Sequence, residues 1–476
     1  MSVTALDALR VDELDAGSWR ASVEAKLASG ARFLGLYAVA EGDAPEVRGL
    51  FADGDRTTVL RSPTRAGRLP TLVDLLPAAD WDEREAHDAY GVAFDGHEPL
   101  RPLLDHDPDL ARWSVPVRGH DPYQVAVGPI HAGVIESGHF RFHVVGERIL
   151  HLDLRLFYKH RGLEQAAEGS DAAREGIRYA QRACAGCAVA NSVAYAQAYE
   201  SAAGLWPDGA LADIRTVLLE LERLWNHLND ISAICAGVGF AAGAMAFASL
   251  KERAQRLNER LAGHRFLFDS IAVARSPLSL ERDDARTLRE DLRELRADTA
   301  RYWRELQFNS SVQARLTGVG TLTGEQALKL GTVGPAARAA GIRHDRRRHS
   351  PRLSYADFAV VAPSSAGDVA ARLEQRVAEL ETTFDLFDTL LARPLRDGVA
   401  EPQGDLSSLG IGCVESPRGE TVCVLELDGD RVGRLHLRTG SYANWPSVAA
   451  AATDNFLPDF PLINKSFELC YACSDR

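Results

Sequence analysis

The spacing of apolar and polar positions changes character along the chain. Up to about residue 115 the apolar positions come in short runs: "ARFLGLYAVAEG" and "VRGLFADGDRTTVLRSP" read as strands separated by Gly and Asp turns. "DWDEREAHDAYGVAFDGHEPL" predicts a short acidic helix ending near Gly91. A Pro- and Gly-bearing connector follows, "WSVPVRGHDPYQVAVGP", and then "SGHFRFHVVGERILHLDLRLFY" alternates as two antiparallel strands around a turn at Gly146. Beyond Arg161 the period becomes helical. "DAAREGIRYAQRACAGCAVANSVAYAQAYESAAG", "DGALADIRTVLLELERLWNHLNDI", "SLKERAQRLNERLAGHRFLFDSI" and "SSAGDVAARLEQRVAELETTFDLFDTLLARP" carry apolar residues at helical spacing, the last with a Ser N-cap and a closing Pro. Strands return at "CVESPRGETVCVLELDGDRVGRLHLRTG", and there is no internal repeat.

The expectation is an α+β chain in two parts. Residues 1–115 form a small α+β domain, 116–125 a linker, and 126–476 a mainly helical domain with a small antiparallel sheet built from pieces distant in sequence. One stretch tests this: "ISAICAGVGFAAGAMAFASL", Ile231 to Leu250, is uncharged over 20 residues. It is mostly Ala, Gly and Ser, so its insertion into lipid would be weak. It reads as a buried helix junction broken by Gly, with any membrane association arriving through partners.

Composition narrows the class. With 476 residues, 46% hydrophobic and 25% charged, the chain has the make-up of a globular protein of two or three domains. A net charge of −13 implies no basic face and argues against nucleic acid as the main partner. The opening "MSVTALDALRVDELDAG" lacks the basic and apolar regions of a Sec signal peptide. The cytoplasm is then the expected compartment, where paired cysteines bind metal or do redox work.

Four of the seven cysteines come as two C-x-x-C pairs, Cys184 with Cys187 in "RACAGC" and Cys470 with Cys473 in "CYAC". This spacing lets both thiolates of a pair face one ion. The pairs lie about 280 residues apart, whereas structural zinc sites draw theirs from roughly 15–20 residues apart. On spacing alone zinc, an iron–sulfur cluster and a rarer soft-metal centre all stay open. Cys235, Cys413 and Cys423 sit in apolar or strand contexts and read as inert core residues.

An ordered set of segments is more specific. "GPIHAGVIESGHFRFHVVGERILHLDLRLFYKHRGLE", "RACAGCAVANSVAYAQAYE", "ELERLWNHLNDI", "LTGVGTLTGEQALKLGTVGPAARAAGIRHD", "ESPRGE" and "PLINKSFELCYACSDR" together resemble the large subunit of energy-converting nickel–iron hydrogenases of the formate hydrogenlyase type, relatives of the 49-kDa quinone-site subunit of complex I. "WDEREAHDAYGVAFDGHEPLRPLL" resembles the 30-kDa complex I subunit that formate hydrogenlyase carries fused in front. The resemblance implies four thiolates around nickel. Cys184 and Cys470 would be terminal ligands, and Cys187 and Cys473 would bridge to an iron carrying carbon monoxide and cyanide. It implies Glu136, in "VIESGH", as the proton relay and Arg418, in "SPRG", as the arginine over the open metal face. Glu468 stands where the family has Asp in Asp-Pro-Cys. Glu164 matches a magnesium ligand of some hydrogenases that end in a ligand His; this chain ends in Arg476, so no magnesium is expected. His131, His227 and Asp230 also occupy family positions. Because relatives are often made with a C-terminal extension cut after the last motif, this chain is expected to be the cut form or one made without it.

Three departures stand against that pattern. Ala185 replaces the Gly of Arg-x-Cys-Gly-x-Cys and is expected to crowd the cofactor. Asn191 replaces a His that hydrogen-bonds a bridging cysteine, and Leu469 replaces the Pro. The function implied is 2H⁺ + 2e⁻ ⇌ H₂ by heterolytic chemistry, with the proton passing through Cys470 and Glu136. Electrons would come from an iron–sulfur small subunit, since this chain has no cluster-binding cysteine set of its own. Membrane subunits would hold the chain peripherally at the cytoplasmic membrane, after loading by hydrogenase maturation proteins. One rival is a complex-I-like coupling subunit whose thiols are vestigial or hold zinc. Another is a quinone-reducing module served by His131.

Overall fold

Alternating apolar residues set up a four-stranded sheet at the start of the chain. Its order is Leu9–Glu13, Arg56–Pro63, Ala44–Asp53, Arg32–Glu41; the first pair runs parallel and the others antiparallel. The computed structural model describes residues 9–476 except 42–43, 55, 107–108, 119–120, 133–134 and 357. The first eight residues of the opening stretch, positions 119–120 of the expected linker and Val134 of "VIESGH" thus lie outside the described residues.

The acidic segment forms the helix Asp80–Tyr90, which places Asp80, Asp82 and Glu83 in its first turn, where the helix dipole favours them. It stops at Gly91, whose φ of 70° needs no Cβ. One face of the sheet packs on the hairpin near the C-terminus. Leu34, Tyr37, Leu50 and Val59 share a core cluster with Leu409, Cys413, Val422 and Val424. Ion pairs from Arg32 to Glu420 and from Arg48 to Glu426 border it.

The rest is mainly helical with several small sheets, and the structure as a whole is 45% helix and 22% strand, an α+β chain. The expected sheet of distant pieces is reduced to a two-stranded antiparallel pairing, Leu205–Pro207 with Ala400–Pro402. There are two separate antiparallel sheets of three strands, each made from strands close in sequence: Tyr123–Val127, His139–Val145, Arg148–Arg155, and Leu409–Ser416, Gly419–Asp428, Arg431–Arg438. Short turns such as the one at Gly146 (φ 59°) make local pairing the cheaper closure. The Ala-rich helix Ala188–Ala202 lies directly on Leu409–Ser416. A Cβ at Gly410 or Gly412 would fall 1.9 Å from the carbonyl oxygens of Ala198 and Ala194, so only glycine lets helix and strand approach this closely.

Three further expectations need correction. The helical run through "RACAGC" is broken: Gly176–Arg182 ends before Cys184, and Ala188–Ala202 begins after a 3₁₀ turn at Ala185–Cys187. The helix Val369–Leu390 is capped by Asp368, whose carboxylate accepts the N–H of Ala371 (2.8 Å), and not by a serine; the turn at Gly367 separates the serines from it. The uncharged stretch 231–250 is Gly-broken as expected, between Gly209–Gly237 and Ala241–Ala262, but it is only half buried, with Met245 71% exposed. Among the described residues no helix is long and apolar enough to cross a membrane.

A charged cluster locks the first unit. Glu83 is fully buried and accepts from Thr71 Oγ1 (2.7 Å) and the N–H of Leu72 (2.6 Å). His97 bridges Glu83 (2.9 Å) and Asp80 (3.2 Å). Burial works to lower His97, but its bonds to Asp80 and Glu83 outweigh that and raise it to about 9. A group raised in the folded state adds stability that is complete below its unfolded value of about 6.5 and is lost as pH climbs through about 9. Amide exchange at Leu72 and along Asp80–Tyr90, corrected for intrinsic rates, should show protection falling by roughly 2–3 kcal/mol across that window. His97→Gln should remove the pH dependence; a variant that keeps it would refute the assignment.

Candidate metal centre

Two chain breaks deliver the cysteines. Cys184 is extended (φ −158°), and its sulfur accepts the N–H of Gly186 (3.2 Å), which starts the 3₁₀ turn carrying Cys187 to the head of the next helix. At the other end, the helix Phe460–Phe467 stops at Glu468 in left-handed backbone (φ 49°), and Cys470 caps the short helix Tyr471–Asp475. The last residues do not fray. Asp475 accepts the N–H groups of Phe157 (2.8 Å) and Lys159 (2.9 Å), the N–H of Arg161 reaches the Arg476 carbonyl (2.7 Å), and the Arg476 guanidinium bridges Glu85 (2.6 Å) and Glu164 (2.8 Å).

The four sulfurs of Cys184, Cys187, Cys470 and Cys473 lie within 4.8 Å of one another. Metal–thiolate bonds of about 2.3 Å put tetrahedral sulfurs about 3.8 Å apart, so the set is close enough to hold a soft metal ion with at most a small inward shift. Cys187 and Cys473 are sealed, while Cys184 and Cys470 keep some exposure. Proton sharing among the sulfurs divides them: bonds from Cys184, Cys187 and Cys473 draw Cys470 well below the ordinary thiol range, with Arg418 assisting, and the same contacts push Cys187 and Cys473 up. Four sulfurs held this close together are what a bound cation would stabilise.

Expected crowding by Ala185 does not occur, because its side chain is exposed. Gly186 faces the sulfurs instead: a Cβ there would lie 3.3 Å from Cys470 Sγ and 3.5 Å from Cys184 Sγ. Asn191 is fully buried, and neither its Nδ2 nor its Oδ1 has a hydrogen-bond partner among the described residues.

Charged groups surround the sulfurs. Arg418, at the turn between Leu409–Ser416 and Gly419–Asp428, is buried; Nη1 pairs with Asp230 and Nη2 donates to Asn226 Oδ1 (3.1 Å). Burial opposes its charge, but Asp230 and then Cys470 hold it well above the ordinary range. Half-buried Glu136 accepts the N–H of Ala472 (2.9 Å), between the two C-terminal cysteines. Burial first, then Asp230, raises Glu468 to about 7, and Asn229 donates to it (3.3 Å). His227 bonds Glu379 (2.9 Å) and His131 the Gly138 carbonyl (2.7 Å). Glu164 is engaged by Arg476, Arg434 and the N–H of Leu437. Sequence reasoning missed Asn226, Asn229, Glu222, Glu85 and Asp475. Asn226 and Glu222 had one available signal, since with Asp230 they form an i, i+4, i+8 stripe in "ELERLWNHLND".

The fold gathers four sulfurs that could hold a metal ion, and comparison with known proteins places the chain in an oxidoreductase family. Residues 237–404 and 394–476 match the family of the respiratory-chain NADH dehydrogenase 49 Kd subunit, and 29–124 that of the 30 Kd subunit. Formate hydrogenlyase subunit 5 of Escherichia coli is 31% identical over 437 residues, covering 86% of this chain and 77% of its own. An NADH-quinone oxidoreductase component of Phocaeicola vulgatus is 26% identical over 425 residues, covering 79% and 80%. The solved membrane-bound sulfane sulfur reductase, an archaeal respiratory membrane complex, contains a chain of the same fold, with TM-score 0.67, 24% identity, and 75% and 99% covered. The chain belongs to the family that unites membrane-bound hydrogenase large subunits with the 49 Kd subunits of NADH dehydrogenase, here with a 30 Kd-like segment fused in front.

The charge assignment is open to a direct chemical check. In metal-free protein Cys470 should react with iodoacetamide at neutral pH well before buried Cys235, Cys413 and Cys423. Arg418→Gln should raise the apparent Cys470 value by about one unit or more, measured from the pH dependence of alkylation by mass spectrometry. An unchanged profile would remove Arg418 from this role.

Proposed function

We propose that this chain is the catalytic large subunit of a membrane-associated nickel–iron hydrogenase, interconverting H₂ with protons and electrons. The observation that carries this reading is the joining of four thiolates to a guanidinium, Arg418, and to an acid, Glu136, bonded to the backbone between Cys470 and Cys473. A structural zinc site is closed and has no use for either group. Cys184, Cys187, Cys470 and Cys473 would hold the centre, Cys187 and Cys473 as bridges. When bound, nickel and an iron carrying carbon monoxide and cyanide supply the electrophilic site at which H₂ is split or formed.

The chain's own residues handle the proton. Cys470, drawn below the ordinary thiol range, would stand as a thiolate able to take up the proton, with Arg418 holding charge beside it. Half-exposed Glu136 passes the proton toward solvent, and Glu468, raised to about 7 by burial, lies beside Cys470. Electrons arrive from an iron–sulfur small subunit, this chain holding no cluster of its own. Further electron-transfer and membrane subunits keep the chain peripheral to the cytoplasmic membrane on its inner face, after hydrogenase maturation proteins load the metals. The proposed boundaries stay at 1–115, 116–125 and 126–476.

Asn191 favours a second reading, a complex-I-like coupling subunit with zinc or bare thiols, because its unpaired carboxamide marks an altered surround. Metal analysis separates the two. Protein from a host with the hydrogenase maturation machinery should hold one nickel and one iron, both lost on Cys184→Ala. Glu136→Gln should keep the metals and lose H₂ turnover by about 10²-fold or more. Zinc alone, or no metal, would establish the coupling subunit.

A further inference from the structure

The helix Ala188–Ala202 begins at Cys187, yet the Cys187 side chain makes no cap bond. A residue at this position ordinarily satisfies the first N–H groups of its helix with its own side chain. A cysteine whose sulfur serves as a ligand cannot do so. The cap comes from another element. Glu222, buried in the middle of the helix Gly209–Gly237, accepts the N–H of Val189 through Oε2 (2.7 Å) and that of Ala190 through Oε1 (3.0 Å). One turn further on, Asn226 donates Nδ2 to the Gly186 carbonyl (2.8 Å) and accepts from Arg418. The backbone is therefore gripped on both sides of Cys187, by acceptors on the helix side and by a donor on the 3₁₀ side, from residues spaced i, i+4 on one rigid face.

We propose that Glu222 and Asn226 are positioning residues that set the Cys184–Cys187 arm against Cys470 and Cys473 and thereby determine how tightly the four sulfurs hold a metal. This rests on the reading of those sulfurs as a metal centre. An ordinary core contact does not account for the pair. A carboxylate removed from water is costly, and an apolar side chain would pack that space better unless the two N–H groups needed an acceptor. The bond to the Gly186 carbonyl has the same logic. Gly186 is the residue whose missing Cβ leaves room over Cys470 and Cys184, so its peptide must be held by something other than side-chain packing.

The test uses the full metal-free chain under reducing, anaerobic conditions, titrated with Co²⁺, whose visible spectrum reports thiolate number and geometry independently of turnover. Wild-type protein should bind one Co²⁺ with a four-thiolate spectrum. Glu222→Gln keeps the shape but turns an amide N–H toward one of the two backbone N–H groups; it should weaken binding tenfold to a hundredfold and lower the visible bands. Asn226→Ala should act in the same direction. The double variant should lose less than the product of the two, because both act on one arm. Glu200→Gln, which breaks the buried Glu200–Arg215 pair (2.6 Å) away from the centre, should lower Tm and leave the cobalt spectrum intact. A folded Glu222→Gln with wild-type cobalt affinity and spectrum would overturn the proposal; if it does not fold, wild-type behaviour of Asn226→Ala does the same. Wild-type protein that shows no four-thiolate spectrum would instead overturn the metal-centre reading itself.

Discussion

Asp230 holds two buried guanidinium groups at once, and the placing of the centre follows from it. Its carboxylate pairs with Arg418 and with Arg376 Nε (2.8 Å), which together keep it far below the usual carboxylate range against the pull of burial. Arg418 belongs to the C-terminal hairpin and Arg376 to the helix Val369–Leu390. Arg376 also donates Nη2 to the Phe467 carbonyl (3.0 Å), immediately before the left-handed turn at Glu468 that aims Cys470. One carboxylate thus ties the arginine beside the sulfurs to the chain that presents the second cysteine pair. Replacing Asp230 by a neutral residue would strand two cations in a dry interior, a loss of about 3–5 kcal/mol for such pairs.

From there a network of buried charge runs away from the centre. Glu379 receives His227 and Arg338; Arg338 reaches Glu415 (2.9 Å) and Asp345 (3.2 Å); Arg347 joins Asp345 (2.8 Å) to Glu220, which accepts from Tyr355 (2.7 Å) and Thr383 (2.6 Å). Apolar residues of equal volume would pack as well without the desolvation cost, so stability alone does not explain this construction. Charge pairs, unlike apolar contacts, have one satisfied arrangement, and each misplacement leaves a partner bare. Glu415 sits three residues before Arg418 on the same hairpin, so the network that fixes Glu415 fixes the approach of Arg418.

The sequence revealed the local parts of this design better than the assembled ones. Alternation placed the strands at 139–155 and their turn at Gly146, since both are nearest-neighbour features. The C-x-x-C spacing exposed the sulfurs, and resemblance pointed to Glu136 and Arg418. The break at Cys184 was invisible because apolar periodicity runs on through it. Glu222 read as one polar position in an amphipathic helix. Its partners, Val189 and Ala190, are backbone groups 33 and 32 residues away, which no side-chain pattern encodes. Asp230 stood out only as a family position for the same reason: its meaning lies in two arginines more than a hundred residues distant.

The geometry also sorts the three departures from the family motif by consequence. Ala185 points outward, and the crowded position is still glycine, shifted one residue along at Gly186. Leu469 is buried in the apolar cluster under Phe467 and Tyr471, and a proline there would push residue 468 toward extended backbone, whereas Glu468 needs left-handed backbone to turn the chain toward Cys470. Both changes are therefore compatible with the sulfurs as they stand. Asn191 is different. It lies one helical turn beyond Cys187, its side chain leans back toward the helix start, and it carries a donor and an acceptor into a fully buried site where no described residue answers either. A buried carboxamide left so costs more than an alanine would. Of the three substitutions, it alone leaves a buried donor and acceptor unanswered among the described residues, one helical turn from a sulfur of the cluster.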